Sequence, residues 1–431
     1  MATARQPPSE PQRAIRGPAP AVISGDLNML RCFVGRGIPI VIVASDPQEP
    51  TLRSRFCERS QIIAPPAQHP ERALSELEAL GSSYCQTPVL YYGTDEMLLF
   101  VSRNRERLAR MFRFSMPEPE LVETLVDKAR FAALAQRAAL PVPETAASKE
   151  LSSARELLER VPLPCAFKPN VHIGWLRQRA DKDHVPKKAL YAATREQAEM
   201  LYDELSARGS FVVQRWIPGD ESSVYSFHCY ADRRSKVLGW FVGRKIRTYP
   251  KQAGVSTFLE LVHEPRVTKL GFEIVERLGL VGPLKIDFKK DAGREQFYVL
   301  ELNPRYTLWC HLGAVSGVNL PKIAYAYELG ENCALPHDYR TGVRWIAFGN
   351  DLRSFLRSYR PAGELSTIEW LYSLRGKKIY DVFSWRDPLP WLSSALAYAQ
   401  AASRRLPLRA RRAVISRSTE RADIPQSELV A

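Results

Sequence analysis

The sequence lacks long hydrophobic runs, since no apolar stretch approaches the roughly 18–20 residues that a helix needs to cross a bilayer. Its N-terminus is rich in proline, glutamine and arginine and has no apolar segment of the kind found in secretory signals. The seven cysteines are scattered, odd in number and never spaced as CxxC, which argues against a zinc site and against a disulfide framework. Together these absences predict a protein of the reducing cytoplasm.

Sequence signatures of nucleic-acid recognition are also missing. The net charge of +14 is large enough to suggest nucleic acid or an anionic membrane as a partner. No zinc knuckle, RNP aromatic pattern or clear helix-turn-helix accompanies this charge, so we expect no specific nucleic-acid partner. Much of the excess lies near the C-terminus, in Arg404, Arg405, Arg409, Arg411, Arg412, Arg417 and Arg421. We interpret this segment as a solvated tail, with peripheral membrane contact as the alternative.

The first hundred residues show the strand–helix–strand pattern of a parallel sheet. Residues 21–25 resemble a short buried strand, a helix follows over about 27–36, and residues 38–46 form a β-branched run. The first turn, Ser24-Gly25-Asp26-Leu27-Asn28, lacks the GxGxxG fingerprint, which argues against bound NAD or FAD. We therefore predict a Rossmann-like domain that acts as a scaffold or as the substrate side of a site.

A predicted hairpin over residues 283–305 carries the strongest chemical signal. Its first strand contains Asp287, and its second contains Glu301 and Asn303, which share one face because they are two residues apart. Asp287 can face them across the hairpin. Two carboxylates and an amide oxygen suit Mg²⁺, which completes its shell with water and phosphate oxygens. Ordinary surface acids are the alternative, but the apolar residues around them predict a buried sheet, where acids need partners.

Two lysines and a linker suggest how a nucleotide would bind. Lys168 projects from a short apolar strand and Lys128 begins a helix, so both cations could hold phosphate oxygens, although a solvated lysine is the alternative for each. The strand over residues 211–217 ends in a Pro-Gly turn, and its free backbone groups could contact an adenine edge. Glu221, which follows that turn, could reach a ribose hydroxyl.

Taken in order, these segments resemble the ATP-grasp superfamily, most closely the carboxylate–amine ligases around D-aspartate ligase. The resemblance covers residues 19–326 and rests on an early lysine, a strand lysine, a Gln-x-x-Ile-Pro-Gly linker, an aspartate strand and Glu-x-Asn-x-Arg. It implies an α/β fold with a Rossmann-like N-terminal domain, a two-lobed ATP-grasp core and a C-terminal extension. We expect a disordered tail over residues 1–18, followed by these three parts over residues 19–122, 123–330 and 331–431.

The resemblance also assigns roles to residues. It implies Mg²⁺, or alternatively Mn²⁺, on Asp287, Glu301 and Asn303. It implies ATP contacts from Lys128, Lys168, Gln214, Arg215, Trp216, Ile217 and Glu221. Arg305 and Arg244 are candidates to hold a carboxylate or a transition-state oxyanion, because arginine binds carboxylates bidentately.

The implied activity is an ATP-dependent ligase for small molecules. It would join a carboxylate to an amine through an acyl phosphate and release ADP and phosphate. A non-catalytic ATP-binding regulatory protein is an alternative that the intact acid and amide set disfavours. A carboxylase-type enzyme is another, disfavoured because no Met-Lys-Met biotin carrier segment is present. The chain departs from the family after Lys168, where the usual glycine-rich flap has one glycine, and at Arg215, where a glutamate is common.

Overall fold

The computed structural model describes residues 15–170, 189–252, 254–332, 336 and 338–400. Within these residues the strands are β1 Ala21–Ser24, β2 Ile40–Ala44, β3 Arg59–Ile62, β4 Val89–Tyr92, β5 Thr145–Ala147, β6 Cys165–Pro169, β7 Leu190–Ala192, β8 Phe211–Arg215, β9 Val224–Ala231, β10 Val237–Tyr249, β11 Val255–Leu261, β12 Gly282–Asp291, β13 Gln296–Asn303, β14 Arg344–Ile346 and β15 Lys378–Tyr380.

The helices fall between these strands and after them. They are α1 Leu27–Arg31, α2 Pro70–Ser82, α3 Asp95–Arg103, α4 Arg105–Leu108, α5 Pro119–Val126, α6 Lys128–Arg137, α7 Ala154–Arg160, α8 Arg195–Ser206, α9 Pro265–Arg277, α10 Cys310–Ser316, α11 Leu320–Leu329, α12 Phe348–Ser354, α13 Thr367–Ser373 and the C-terminal helix, residues 389–400. Short helical turns lie at Pro50–Arg53, Ser148–Glu150, Glu221–Ser223 and Phe355–Tyr359. No helix in the described part of the chain is both long and apolar enough to span a bilayer.

The N-terminal sheet is parallel, in the order β3-β2-β1-β4. The strands β1, β2 and β4 consist mainly of apolar residues and are almost entirely buried, as a parallel sheet between helices requires. The helix after β1 is shorter than predicted, and Asp26 caps it by accepting from the Met29 N–H at 3.1 Å. Of the predicted tail, residues 1–14 lie outside the described part, whereas the Ile15 N–H donates to the Ser83 carbonyl at 2.8 Å.

The second sheet is small and antiparallel, with the strand order β5-β8-β6-β7. The amphipathic helices α7 and α8 cover one of its faces, and their leucines pack with Phe167 and Phe211 of the strands. The opposite face carries Lys168 and Gln214, because successive side chains on a strand point to opposite faces of the sheet. This sheet therefore presents a polar face toward the rest of the molecule.

The largest sheet has seven strands in the order β13-β12-β9-β10-β11-β14-β15. Its first five strands are antiparallel, and α9 packs on one face through an apolar stripe that includes Ile274 and Val275. Pro265 at the start of α9 and Gly279 after its end match the usual helix boundaries. The other face of this large sheet packs against the N-terminal sheet through Tyr91, Tyr306 and Trp309.

The C-terminal extension adds its two short strands to this same large sheet. Strand β14 pairs with β11, and β15 pairs in parallel with β14. A buried bidentate pair, Arg247 with Asp351, ties β10 to α12 with both nitrogen–oxygen distances at 2.8 Å. The extension is thus continuous with the sheet that carries the predicted metal ligands.

Candidate active site

A cleft of about 400 Å³ lies between the polar face of the small sheet and the large sheet. The small sheet supplies the lysine and glutamine that were predicted from the sequence, and the large sheet supplies the acids and the amide. Eleven of the twelve predicted site residues line the cleft: Lys128, Lys168, Gln214, Arg215, Trp216, Ile217, Glu221, Asp287, Glu301, Asn303 and Arg305. The structure therefore brings together segments that are up to 177 residues apart in the chain, from Lys128 to Arg305.

The acid and amide side chains share one face of the β12–β13 hairpin. Asp287 lies directly opposite Glu301 in the antiparallel register, and Asn303 lies opposite Lys285. Asp287 and Asn303 are buried, whereas Glu301 is exposed at the rim. A register shift after Asp287 interrupts the hairpin beyond this point, so the arrangement is confined to its last few residues.

Asp287 is held as a carboxylate by its surroundings. Burial by itself would raise its pKa, but the ammonium groups of Lys285 and Lys245 outweigh burial and hold the pKa well below its usual range. Lys285 Nζ donates to Asp287 Oδ2 at 2.6 Å, and the Ser226 hydroxyl donates to Oδ1. A hard divalent cation fits this set, because two carboxylate side chains and an amide oxygen are the ligands it prefers. No cluster of three or more His, Cys, Asp and Glu suited to a metal occurs among the described residues, so a cation held here would use the amide oxygen of Asn303 beside the two carboxylates.

Lys168 sits on the opposite wall of the cleft. Its Nζ donates to Gln214 Oε1 at 2.7 Å, and Gln214 Nε2 in turn donates to Thr145 Oγ1 at 3.0 Å. Burial lowers the pKa of Lys168 to about 8; nearby Glu301 opposes the shift. The neighbouring ammonium groups of Lys128 and Lys289 lower the pKa further. Such a cluster of cations favours an anionic ligand that relieves their mutual repulsion.

The linker after β8 has buried side chains with protein partners. Arg215 pairs with Glu144 and lies 3.5 Å from Asp291 Oδ2, and its guanidinium stacks over Tyr298 at 4.9 Å. Glu221 is buried and accepts from the Gln252 N–H at 2.6 Å and from Thr248 Oγ1 at 3.3 Å. The Arg215 guanidinium thus has a structural role, and the glutamate expected there by family resemblance is not needed to hold the linker.

The two predicted arginines differ in position. Arg305 lines the cleft, donates to Asp95 and to the Gly93 carbonyl at 3.3 Å, and reaches Asn303 Oδ1 at 3.5 Å. It therefore links the N-terminal sheet to the amide of the predicted metal group. Arg244 does not line the cleft, and its guanidinium pairs with Glu260. The neighbouring residue, Lys245, lines the cleft instead, since adjacent residues on a strand point to opposite faces.

Three lysines in the cleft were not predicted from the sequence: Lys245, Lys285 and Lys289. Lys285 and Lys289 flank Asp287 at a spacing of two along β12, so strand alternation could have placed these two lysines on the same face as Asp287. Lys289 Nζ donates to the Gly219 carbonyl at 2.9 Å and lies 4.6 Å from the centre of the Trp216 ring. Residues 171–188, which contain most of the flap segment expected after Lys168, lie outside the described part of the chain.

A second cavity of about 340 Å³ opens at the carboxyl ends of β1, β2 and β4. It adjoins the cleft, since Asp26, Gly93 and Thr307 line both spaces. Its lining includes four carboxylate residues: Asp26, Asp46, Glu49 and Glu96. The position is the point where the strand order of the parallel sheet reverses, with β2 on one side of β1 and β4 on the other, which is where such sheets bind ligands.

Comparison with known proteins agrees with this architecture. Residues 208–347 match a protein family described as ATP-grasp in the biosynthetic pathway with Ter operon. The chain is 22% identical over 230 residues to D-aspartate ligase of Enterococcus faecium, a match that covers 52% of this chain and 54% of that protein. The aligned region spans about half, or less, of the length of the curated relatives that it matches.

Solved structures resemble the fold of about three quarters of the chain. N5-carboxyaminoimidazole synthetase from Staphylococcus aureus, complexed with ADP, superposes with a TM-score of 0.56 at 12% identity, covering 75% of this chain and 80% of that one. L-amino acid ligase from Bacillus licheniformis gives a TM-score of 0.54 at 15% identity, covering 73% and 75%.

The chain has the ATP-grasp fold, and the α/β architecture predicted from the sequence is confirmed. The predicted resemblance to D-aspartate ligase is confirmed as well. The predicted domain boundaries, the roles of the site residues and the cytoplasmic location stay predictions.

Proposed function

We propose that the protein is an ATP-dependent ligase that joins a small carboxylic acid to an amine through an acyl phosphate. The observation that carries this proposal is the cleft itself, where Lys128 and Lys168 lie across from an ionised acid and amide group, and Lys245, Lys285 and Lys289 lie on the same sheet as that group. Such a site would neutralise the negative charge of the phosphoryl group and hold that group in position. Positioning and charge neutralisation are the main contributions of a protein to phosphoryl transfer. Similarity to D-aspartate ligase and L-amino acid ligase supports the substrate classes.

The cations would hold the phosphates of ATP. Lys168 is preorganised by its hydrogen bond to Gln214, and Lys128 begins α6 close to it. Fixed charges in a partly dry cleft stabilise the negative charge that develops on the phosphoryl oxygens, without reorganisation during the reaction. The adenine would lie against the linker, whose Ile217 and Trp216 offer apolar surface, while Glu221 would face the ribose.

The acid group would hold a divalent cation, with Asp287, Glu301 and Asn303 as its protein ligands. When bound, that cation would neutralise charge on the phosphates and orient them. Asp287 contributes a carboxylate that stays ionised across the physiological range, because Lys285 and Lys245 hold its pKa low. Arg305 would help to position the side chain of Asn303, since its guanidinium donates to Asn303 Oδ1 at 3.5 Å.

The reaction would proceed in two displacements. A carboxylate oxygen of the acid attacks the γ-phosphorus, the bond to ADP breaks, and an acyl phosphate forms. The amine nitrogen then attacks the carbonyl carbon, an amide forms, and phosphate leaves with the bonding electron pair. Phosphorylation is needed because a free carboxylate repels nucleophiles and its oxygen is a poor leaving group.

The second cavity is the proposed entry side for the two substrates. It adjoins the cleft, with Asp26, Gly93 and Thr307 lining both spaces. Its carboxylate lining suits the ammonium form of an amine, which would lose a proton before attack.

Oxygen transfer from the acid tests the proposal. A panel of carboxylic acids, bicarbonate among them, is incubated with ATP, Mg²⁺ and hydroxylamine, and ADP release is followed for each. With the acid that stimulates turnover, we expect a hydroxamate together with ADP and phosphate, and label placed in the carboxyl oxygens should appear in the phosphate. Formation of AMP and pyrophosphate would show adenylation instead. ATP binding without ADP release for any acid would favour the non-catalytic alternative, and stimulation by bicarbonate alone would favour the carboxylase type.

A further inference from the structure

The C-terminal helix, residues 389–400, has its apolar side turned away from the protein. Trp391, Leu392 and Leu396 are between 43% and 61% exposed, whereas Ser393 and Ser394 are half-buried and Pro390 is buried. At 3.6 residues per turn, the two serines and the proline fall on one side and the large apolar residues on the other. A surface helix of a globular protein normally buries its apolar stripe, so this orientation is the reverse of the usual one.

The reversed orientation is fixed by contacts at both ends of the helix. Just before it, the buried carboxylate of Asp387 accepts from Ser54 Oγ at 2.6 Å and from the Arg55 N–H at 3.0 Å. Near its other end, Arg353 donates to the Tyr398 hydroxyl at 2.6 Å. The helix is therefore anchored to the rest of the fold at both ends while its apolar side stays open.

Further aromatic residues stand beside the start of the helix. Trp385 is 88% exposed, and its ring packs edge-on against Phe383 with centroids 4.8 Å apart. Phe383 also contacts Trp391, at 5.7 Å. Tryptophans at an exposed apolar surface are typical of membrane interfaces, where one end of the ring meets hydrocarbon and the other meets water.

Charge along the sequence identifies the partner for this surface. Residues 388–403 contain no charged residue, and residues 404–412 contain five arginines and no acid. An uncharged, tryptophan-bearing helix next to a block of arginines fits a bilayer with anionic headgroups, since the apolar side enters the boundary of the acyl chains and the arginines attract the headgroups. The described residues hold no helix able to span a bilayer, so the helix would lie in the plane of the interface.

We propose that the C-terminal helix and the arginines after it bind the protein peripherally to an anionic membrane surface. The apolar side of Trp391, Leu392 and Leu396 supplies the inserted area. The arginines supply the preference for anionic lipid. The contacts of Asp387 and Arg353 hold the helix on the rest of the fold.

Vesicle cosedimentation of the full chain tests this proposal. The vesicles contain either phosphatidylcholine alone or roughly three parts phosphatidylcholine to one part phosphatidylserine, which gives the surface an anionic potential. We expect the wild-type protein to sediment with the anionic vesicles and to remain in the supernatant with the neutral ones. The double variant Trp391→Glu/Leu396→Glu should bind at least about tenfold more weakly, because two acids replace the inserted side chains. Replacing the five arginines by glutamine should have a similar effect.

Ile62→Glu/Met200→Glu is the matched control, because it places two acids at exposed apolar positions of other elements, 43% and 62% exposed. It should bind anionic vesicles as the wild type does, and all variants should keep the wild-type thermal midpoint. Wild-type protein that stays in the supernatant with both vesicles would overturn the proposal, as would undiminished binding by the helix variant. Loss of a solution dimer in the helix variant, without any vesicle binding by the wild type, would assign the surface to a second copy of the chain and overturn it too.

Discussion

Glu301 stands opposite Asp287 in the hairpin, at the exposed rim of the cleft. This position allows it to complete a cation site once phosphates enter, without the desolvation cost that a third buried group would carry. We expect Glu301→Ala to lower Mg²⁺-dependent ADP formation by at least roughly a hundredfold, as is usual when a charge-stabilising group is lost at a phosphoryl centre. Steady-state assays over a Mg²⁺ titration measure the effect.

Glu295 provides the control for this prediction. It lies in the turn of the same hairpin, where it pairs with Lys290 at 3.0 Å, and it does not line the cleft. Glu295→Ala should leave turnover close to the wild-type value. Wild-type activity in Glu301→Ala would remove the metal assignment from this residue.

Lys168 should make ATP binding depend on pH. Its pKa of about 8 in the free protein means that it is mostly charged at neutral pH and mostly neutral about one pH unit above that value. Bound phosphates favour the ammonium form and raise this pKa, so ATP binding above pH 8 takes up a proton and becomes weaker as pH rises. Titration calorimetry in buffers with different ionisation enthalpies would detect that proton.

Two substitutions separate charge from titration at this position. Lys168→Ala should weaken ATP binding at neutral pH by about 1–3 kcal/mol, the range for a lost charged hydrogen bond. Lys168→Arg should retain more affinity and show no weakening between neutral and mildly alkaline pH, because arginine does not titrate there. Equal pH dependence in the wild type and in both variants would mean that another group is titrating.

Helix α12 is joined to β10 by a buried ion pair, and this contact decides whether the extension is part of the folded core. Asp351 is fully buried, pairs with Arg247, and also accepts from Trp370 Nε1 at 3.0 Å. We expect Asp351→Ala to lower the free energy of unfolding by about 3–5 kcal/mol, because it leaves a buried guanidinium without its counter-charge. Urea unfolding measures the change.

The exposed pair between Lys251 and Glu364 is the comparison for this element. Glu364→Ala should change the free energy of unfolding by about 0–1 kcal/mol, since solvent screens the charges. If Asp351→Ala lowers the free energy of unfolding as little as Glu364→Ala does, the extension does not contribute to the stability of the large sheet.

The elements that could be predicted from the sequence are those with a clear period. The β12–β13 hairpin alternates over many residues, so strand alternation predicts that Glu301 and Asn303 share a face, and the pairing of Asp287 with Glu301 brings Asp287 to that same face. The basic run that includes Arg244 and Lys245 offers no such guidance, because neighbouring basic residues do not reveal which one faces the cleft.

The C-terminal extension shows why other parts could not be predicted. Its strands β14 and β15 have three residues each, too short for any periodicity to appear. They exist because β11 offers an edge for pairing and because Arg247 and Asp351 hold α12 beside it. Such tertiary contacts carry no local signature in the sequence.

At the scale of the molecule, three parts of the chain meet at the cleft, and Arg305 connects two of them. It joins the turn after β4 to the acid and amide group of the large sheet, while the small sheet supplies Lys168 from the other side. A ligase must close around ATP and two further substrates before phosphoryl transfer, since water would hydrolyse an acyl phosphate. The second cavity adjoins the cleft and shares three lining residues with it, Asp26, Gly93 and Thr307.

The chemistry and the C-terminal surface should be separable by truncation. The cleft is lined by residues up to Trp309, and the last described contacts that hold the extension to the N-terminal sheet are those of Asp387. A chain that ends at Ser403 keeps these contacts and loses the arginines that follow. It should therefore keep wild-type ADP formation and thermal midpoint while its binding to anionic vesicles falls. A chain that ends at Arg386 loses the buried Asp387 carboxylate and both of its hydrogen bonds, and should be less stable by about 1.5–3 kcal/mol per charged hydrogen bond lost. Loss of ADP formation in the longer truncation would show that the arginines serve the cleft, whereas equal stability of the two truncations would show that Asp387 does not anchor the C-terminal helix.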